Sequence, residues 1–153
     1  MISIRISKHH RLGEYLRYST VYGLTGAVLM TIFELLLHFA ASDRMEGMHM
    51  LGYLIFFAIL GTGTYRARNI LNEGYEANDT IIIGLMIAAA TGLSLIVLNV
   101  LLALFHIPVE VGMIALPITS GWNFAVNAMG NLLIDINLGF LSSIIFVYLF
   151  NRN

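Results

Sequence analysis

The chain has 153 residues, of which 58% are hydrophobic and only 11% are charged, and its mean hydropathy is +0.82. A soluble domain of this length could not cover so much apolar surface with so few charges, so the composition excludes an ordinary water-soluble fold. The net charge of −1 argues against a nucleic-acid partner, and the lack of Cys excludes disulfides and thiolate metal sites.

Four apolar stretches are long enough, or nearly so, to be membrane-spanning helices. They cover residues 18–41, 50–65, 80–105 and 134–150. The first stretch follows a basic N-terminal tail. Because it is longer than the apolar region of a signal peptide and contains Glu34, we predict a retained helix. The short connection 42–47 predicts that the first two helices form an antiparallel hairpin.

The third stretch is the most apolar, and Gly84 and Gly92 within it mark positions where a neighbouring backbone could approach closely. After it, Pro108 and Pro117 interrupt helix continuity. Residues 119–133 then have the pattern of an amphipathic helix. We expect this segment to lie in the outer membrane interface before the last span. The alternatives are one strongly tilted helix of about 30 residues and a fifth span.

Positive charges indicate the orientation of the helices. When the four stretches are drawn as spans, seven of the eight Lys and Arg residues fall on one side of the membrane. Cytoplasmic loops retain Lys and Arg, so this distribution predicts that both termini are cytoplasmic. The sequence therefore predicts an all-α fold, an integral membrane four-helix bundle with N-in/C-in topology.

Two ionisable residues, Glu34 and His38, lie four positions apart in the first predicted helix and therefore share a face. An ionisable group inside a membrane costs at least about 2–3 kcal/mol unless it is paired, protonated or hydrated, which makes Glu34 a candidate functional residue. The alternative is a protonated Glu, or a Glu–His hydrogen bond, that only holds two helices together.

A polar residue recurs at every fourth position near the start of the last helix. The set is Asn123, Asn127, Asn131 and Asp135, and we call it the polar stripe. Steps of four residues place these side chains along one slanting line of a helix. We expect Phe124, Met129 and Leu132 to point elsewhere. Asn99, late in the third stretch, maps to the same half of the bundle as the stripe and the Glu–His pair.

Three interpretations of this polar cluster stay open: amides that face water or headgroups, a polar seam between helices or with a partner, and a metal, proton or small-solute site. The Glu-x-x-x-His spacing differs from the Glu-x-x-His of di-iron bundles, so we predict no metal and no other cofactor. No glycine-rich nucleotide loop is present in the sequence. We expect Ser142 and Ser143 to bond the backbone, and we predict no catalytic residue.

Three stretches of the sequence carry a family resemblance. They are Gly52-Tyr53-Leu54 through Tyr65-Arg66, the loop that leads to Gly84, and the ending from Gly139-Phe140-Leu141-Ser142-Ser143-Ile144-Ile145 to Asn151-Arg152. They resemble a family of small, uncharacterised four-helix proteins of the bacterial inner membrane. The resemblance implies a multi-pass topology in that membrane and implies no catalytic residues. The sequence departs from the family at 107–133, where members often carry a longer, charged outer segment.

For function, the sequence favours a non-enzymatic integral subunit or accessory protein. Such a protein would pack in the lipid bilayer against a partner membrane protein or against copies of itself. The alternative is a small oligomeric transporter or channel that uses Glu34, His38 and Asp135 for protons or cations. Because four short helices enclose a narrow lumen, a pore would need several copies.

Overall fold

A computed structural model of the chain is an all-helical bundle. It describes residues 2–40, 48–70, 77–107, 111–112 and 121–150. The helices are α1 (Ile2–Ala40), α2 (Gly52–Ile70), α3 (Ala77–Leu104) and α4 (Gly121–Phe150), and the 3₁₀ helix Met48–Leu51 precedes α2. Within these residues, the prediction of an all-α fold with four helices is therefore confirmed.

Helices that follow one another in the chain run in opposite directions. The ring of Tyr22 in α1 lies against Gly63 of α2, whereas Glu34, further along α1, lies against Gly52 at the start of α2. The predicted antiparallel pairing of the first two helices is thus present. The helix α2 contacts the other three helices and α3 packs against both α1 and α4. Within the described part of the chain, α1 and α4 do not pack against each other.

The core of the bundle lies among α1, α2 and α3. Phe56 and Leu60 of α2 and Ile83 and Ile87 of α3 are completely buried. Hydroxyl side chains in the core are satisfied within their own helices, since Thr91 donates to the carbonyl of Ile87 at 2.9 Å. This pattern suits a helix in an apolar medium, where every polar group needs a partner inside the protein.

The boundaries of the first three helices differ from the sequence predictions in informative ways. The helix α1 is 39 residues long and includes most of the basic N-terminal tail, so the tail and the first apolar stretch form one helix. The helix α2 continues past residue 65 to Ile70. The third helix begins three residues before the predicted position 80 and ends at Leu104.

The helix α4 is a single helix of 30 residues, whereas we expected a separate interfacial segment at 119–133 and a span starting at 134. No proline lies between Gly121 and Phe150, and the polar stripe stays packed on α3 across the expected boundary. As a consequence, Asp135 lies at the middle of a long helix and not at the end of a short one.

Among the described residues, three helical segments are long and apolar enough to cross a membrane. They are Leu12–Ala40, Ala77–Leu104 and Gly121–Leu149. The helix α2, which we predicted as a span over residues 50–65, is not among them, and its last turns carry Arg66 and Arg68. The outside of the bundle exposes many large apolar side chains, among them Phe39, Leu104 and Trp122. Such a continuous apolar exterior is typical of a protein that contacts lipid or other proteins.

Candidate functional site

The helices α3 and α4 approach each other closely along a seam of small residues. Gly84, Ala88 and Gly92 recur every fourth residue on α3. Gly84 lies against Ser143 of α4, and Ala88 lies against Gly139. Small residues at this spacing let two helix backbones come together in a membrane. The expectation that Gly84 and Gly92 mark a close approach is confirmed, and the seam brings the polar stripe onto α3.

Most of the polar stripe is buried in this seam. Asn127, Asn131 and Asp135 are 5%, 9% and 1% exposed, whereas Asn123 is only half-buried. The same four-residue step continues from Asp135 to Gly139 and Ser143, the small residues of α4 that contact α3. These three side chains therefore face the interior of the bundle. This arrangement favours a polar seam or a binding site over a row of amides facing water.

Asp135 is the most isolated polar side chain of the stripe. Both of its carboxyl oxygens are buried, and neither has a hydrogen-bond partner among the residues that the structure describes. Across the seam stands Gly92, where a Cβ atom would lie 3.1 Å from Oδ2 of Asp135. A lone carboxylate in such a place is very costly. A proton, a bound cation or water must therefore compensate its charge.

A cavity of about 20 Å³ lies beside Asp135, between α3 and α4. Its polar lining comes from Asn99, Asn127 and Asn131. Gly92 both lines the cavity and contacts Asp135, so the carboxyl and the cavity are neighbours. The volume suits about one water molecule, and amide side chains are the polar partners that a buried water requires.

A returning segment of backbone covers this cavity. The amide Nδ2 of Asn99 donates to the carbonyl of Val111 at 3.0 Å, and the N–H of Val111 donates to Oδ1 of Asn99 at 3.0 Å. Val111 is buried, and Gly112 after it has a φ of +149° and lies against the side chain of Asn131. Only glycine accepts both that φ and that contact. The chain therefore folds back after α3 to close the cavity.

The end of α3 directs the chain towards this cover. The N–H of Ile107 donates to the carbonyl of Leu102 at 2.9 Å, and the N–H of His106 donates to that of Ala103 at 3.1 Å. These two bonds form a Schellman motif. His106 has a φ of 56°, in the left-handed region that this position requires and that glycine usually fills. Its side chain is exposed, so its role is in the helix end.

Glu34 and His38 lie apart from the site. Glu34 is 6% exposed, and its Oε1 is 3.6 Å from the position that a Cβ of Gly52 would take. His38 is exposed and its ring packs edge-on against Phe39, with ring centroids 5.4 Å apart. Because α1 and α4 do not pack together within the described residues, Glu34 and Asp135 occupy different parts of the bundle.

The structure thus divides the predicted polar cluster. It brings together Asn99, Asn127, Asn131 and Asp135, leaves Asn123 at the edge, and separates Glu34 and His38 from them.

Several residues of the site were missed by the sequence analysis or expected elsewhere. Phe124 lines the cavity and Leu132 packs on Gly92, contrary to our expectation for both. Only Met129 points outwards as expected. A four-residue step shifts the polar stripe around the helix, so residues beside the stripe also lie in the interface with α3. This explains why Phe124 and Leu132 lie in the interface. The glycine of the returning segment lies between two prolines, and this pattern is a usable signal for an unusual turn.

The serine pair on α4 takes the predicted structural role. The hydroxyl of Ser143 donates to the carbonyl of Gly139 at 2.6 Å, and that of Ser142 donates to Leu138. The expectation that both bond the backbone is confirmed. Among the described residues there is no group of three or more His, Cys, Asp or Glu side chains that could hold a metal ion.

Comparisons with known proteins give no match that could indicate what the site does. No family model matches the chain, and no curated protein or solved structure matches it either. The resemblance to small four-helix proteins of the bacterial inner membrane therefore stays a prediction. The isolated carboxyl and its polar cavity are the features that any functional proposal has to explain.

Proposed function

We propose that this chain is a multi-pass membrane protein that binds and translocates a proton or a small cation through Asp135. The observation that carries the proposal is the buried carboxyl of Asp135, which has no hydrogen-bond partner among the described residues. Ionisable residues inside spanning helices are costly and typically serve ion pathways or proton relays. A residue with only a packing role would be an apolar one at lower cost.

The surroundings of Asp135 suit a group that alternates between a neutral and a charged form. A protonated carboxyl can stand beside Gly92 without a strong partner. A charged one needs donors, and the adjacent cavity has room for about one water held by the amides of Asn127 and Asn131. The cover formed by Val111 closes one approach to this cavity, as an ion pathway requires at each stage of transport.

The placement in the membrane is part of the proposal. The antiparallel order of the helices puts the first residues of α1 and the last residues of α4 at the same end of the bundle. The excess of Lys and Arg at that end supports a cytoplasmic location for both termini. The bacterial inner membrane is the compartment that the sequence resemblance implies.

A second candidate function is the non-enzymatic accessory subunit. The face of α4 opposite the polar stripe is exposed and apolar, as at Trp122, Met129 and Phe140, and could pack against a partner membrane protein or another copy of this chain. A partner on that face would not reach Asp135, which is buried within the single chain. The carboxyl therefore favours ion translocation.

Flux measurements on reconstituted protein test the proposal. Purified protein is incorporated into liposomes that contain a pH-sensitive dye, and a potassium diffusion potential is applied with valinomycin. We expect a proton flux that Asp135→Asn abolishes, because an amide keeps the shape of the side chain but exchanges no proton. Glu34→Gln is the matched control, since it removes a carboxyl from the contact of α1 with α2, and flux should persist.

Two results would decide against this function. Flux no greater than that of empty liposomes, with protons and with sodium or potassium gradients, would remove the translocation proposal. Flux that survives Asp135→Asn would show that Asp135 does not carry the ion. A stoichiometric partner in mild detergent, together with no flux, would support the accessory-subunit function.

A further inference from the structure

A groove opens between α1 and α2 in the half of the bundle opposite the Asp135 cavity. It has a volume of about 430 Å³ and is lined by Glu14, Arg17, Tyr18, Val21, Tyr22 and Arg66. Five of these residues lie within a little more than two turns of α1, and Arg66 reaches the groove from α2, which runs antiparallel to it. Each of the two helices therefore contributes one arginine to the same concave surface.

The chemistry of the lining favours a phosphate group. The guanidinium groups of Arg17 and Arg66 outnumber the single carboxylate of Glu14, so the lining is net positive. A guanidinium presents a planar fork of N–H donors that matches phosphate oxygens in pairs. The hydroxyl groups of Tyr18 and Tyr22 add further donors, and such aromatic side chains are frequent at the level of lipid headgroups.

An apolar strip continues from the groove along α1. Val21 lines the groove and is exposed, and Leu24 and Val28 follow it on the same face of the helix and are also exposed. A soluble phosphate compound has no apolar chains that would contact this strip. A phospholipid with its headgroup in the groove would lay its acyl chains along it. Basic pockets between membrane-spanning helices are known to bind anionic lipid headgroups.

We propose that this groove is a binding site for the phosphate headgroup of an anionic phospholipid, with the acyl chains on the strip formed by Val21, Leu24 and Val28. The proposal concerns α1 and α2 and does not depend on the role of Asp135. It also differs from a diffuse attraction of surface charges to a membrane, because it assigns the contact to two particular arginines.

Lipid titrations of the purified full-length chain in detergent test this site. Phosphatidylglycerol and phosphatidylcholine with identical acyl chains are added, and the bound lipid is counted by native mass spectrometry. We expect phosphatidylglycerol to bind at least about fivefold more tightly, and Arg17→Gln or Arg66→Gln to reduce that preference by about fivefold each. Arg68→Gln is the matched control, because it removes the same charge two residues after Arg66 and outside the groove lining, and the preference should persist.

The outcomes distinguish a specific headgroup site from diffuse charge attraction and from a site for a soluble phosphate. An equal loss in Arg68→Gln would mean that only diffuse surface charge is involved, and equal binding of the two lipids would mean that there is no headgroup site. Displacement of the bound lipid by glycerol 3-phosphate at low millimolar concentration would identify a soluble phosphate as the ligand. Each of these results overturns the proposal.

A conservative pair of variants covers the case in which the Gln variants fail to fold. Arg17→Lys and Arg66→Lys keep the charge but lose the guanidinium fork. A reduced preference for phosphatidylglycerol at unchanged melting temperature supports the site. A preference equal to that of the unmodified chain would contradict it.

Discussion

At the scale of single residues, the burial of Asp135 beside Gly92 lowers the folding stability of the protein. The glycine leaves space for the carboxyl, yet no described residue gives Asp135 a hydrogen bond. Placing a polar group there costs free energy that an ordinary core residue would not cost. We interpret this cost as one that is retained for function, in line with the proposed ion translocation.

The first prediction follows from that cost. Asp135→Asn should unfold at the same temperature as the unmodified protein, or a few degrees higher, because a neutral amide of equal size is no harder to bury than the carboxyl. Thermal unfolding followed by circular dichroism in detergent measures this directly. A fall of more than about 5 °C would indicate that the carboxyl holds the helices together through a bond, which would undermine its assignment as a free ion site.

A second prediction concerns the close approach of α3 and α4. A Cβ at Gly84 would collide with the side chain of Ser143, which is itself bonded to Gly139. Gly84→Ala should therefore destabilise the bundle by about 1–3 kcal/mol. Gly13→Ala is the control, because no atom lies within 4 Å of a Cβ at Gly13, and it should be neutral or stabilising by up to about 1 kcal/mol. Reversible denaturant unfolding in detergent compares them, and equal effects would refute the tight seam.

A third prediction concerns the end of α3. His106 adopts a left-handed φ of 56°, which costs a residue with a side chain about 1 kcal/mol relative to glycine. His106→Gly should therefore stabilise the protein by about that amount. His38→Gly should destabilise it by a similar amount, since His38 lies inside the helical range of α1. If both variants were destabilised in thermal unfolding, the proposed role of His106 in the helix end would be wrong.

At the scale of elements, the returning segment after α3 depends on one side chain. Among the described residues, the backbone of Val111 makes two hydrogen bonds with the amide of Asn99 on α3, accepting one and donating the other. The side-chain amide of Asn99 thus pairs with the backbone of Val111 as two residues of neighbouring β-strands pair with each other. The segment is therefore the part of the site in which a single substitution should open the cavity.

This dependence makes a fourth prediction. In a Val111→Cys variant the thiol should react slowly with a water-soluble maleimide, because Val111 is 1% exposed. Adding Asn99→Ala should raise the reaction rate at least about tenfold, since two hydrogen bonds are lost and each is worth about 1 kcal/mol. Adding Asn137→Ala is the control, because that amide bonds Leu133 in its own helix. An unchanged rate with Asn99→Ala would show that other contacts hold the segment.

At the scale of the whole molecule, the alternating directions of the helices determine which surfaces share a side of the membrane. Residues near the start of α1 and the end of α4 lie at one end of the bundle, and the start of α4 lies at the other. In the proposed topology, the excess of positive charge places the first of these ends in the cytoplasm.

A fifth prediction tests this placement. The sequence contains no Cys, so each introduced thiol is a unique label. Trp122→Cys should react with an impermeant thiol reagent added to intact cells, whereas Gly13→Cys and Tyr148→Cys should react only after permeabilisation. Immunoblots of a mass-tagged reagent give the readout. Labelling of Tyr148→Cys in intact cells would place the C-terminal end of α4 outside and require an odd number of spans.

Helix content was largely predictable from the sequence. Long apolar runs with few charges form helices because each backbone group must be bonded inside its own segment when water is scarce. That requirement is local, so the third helix was located within three residues at each end. The step of four residues that links Asn127, Asn131 and Asp135 also identified these side chains as sharing a face.

The tertiary structure decided which of these polar groups meet. Helical periodicity assigns a residue to a face, but it does not say which helix that face contacts. Packing of α4 on α3 placed Asp135 opposite Gly92, and the lack of packing between α1 and α4 across the described residues separated Glu34 from it. The cover at Val111 depends on a contact with Asn99 through space, 12 residues away in the chain, which no local pattern contains.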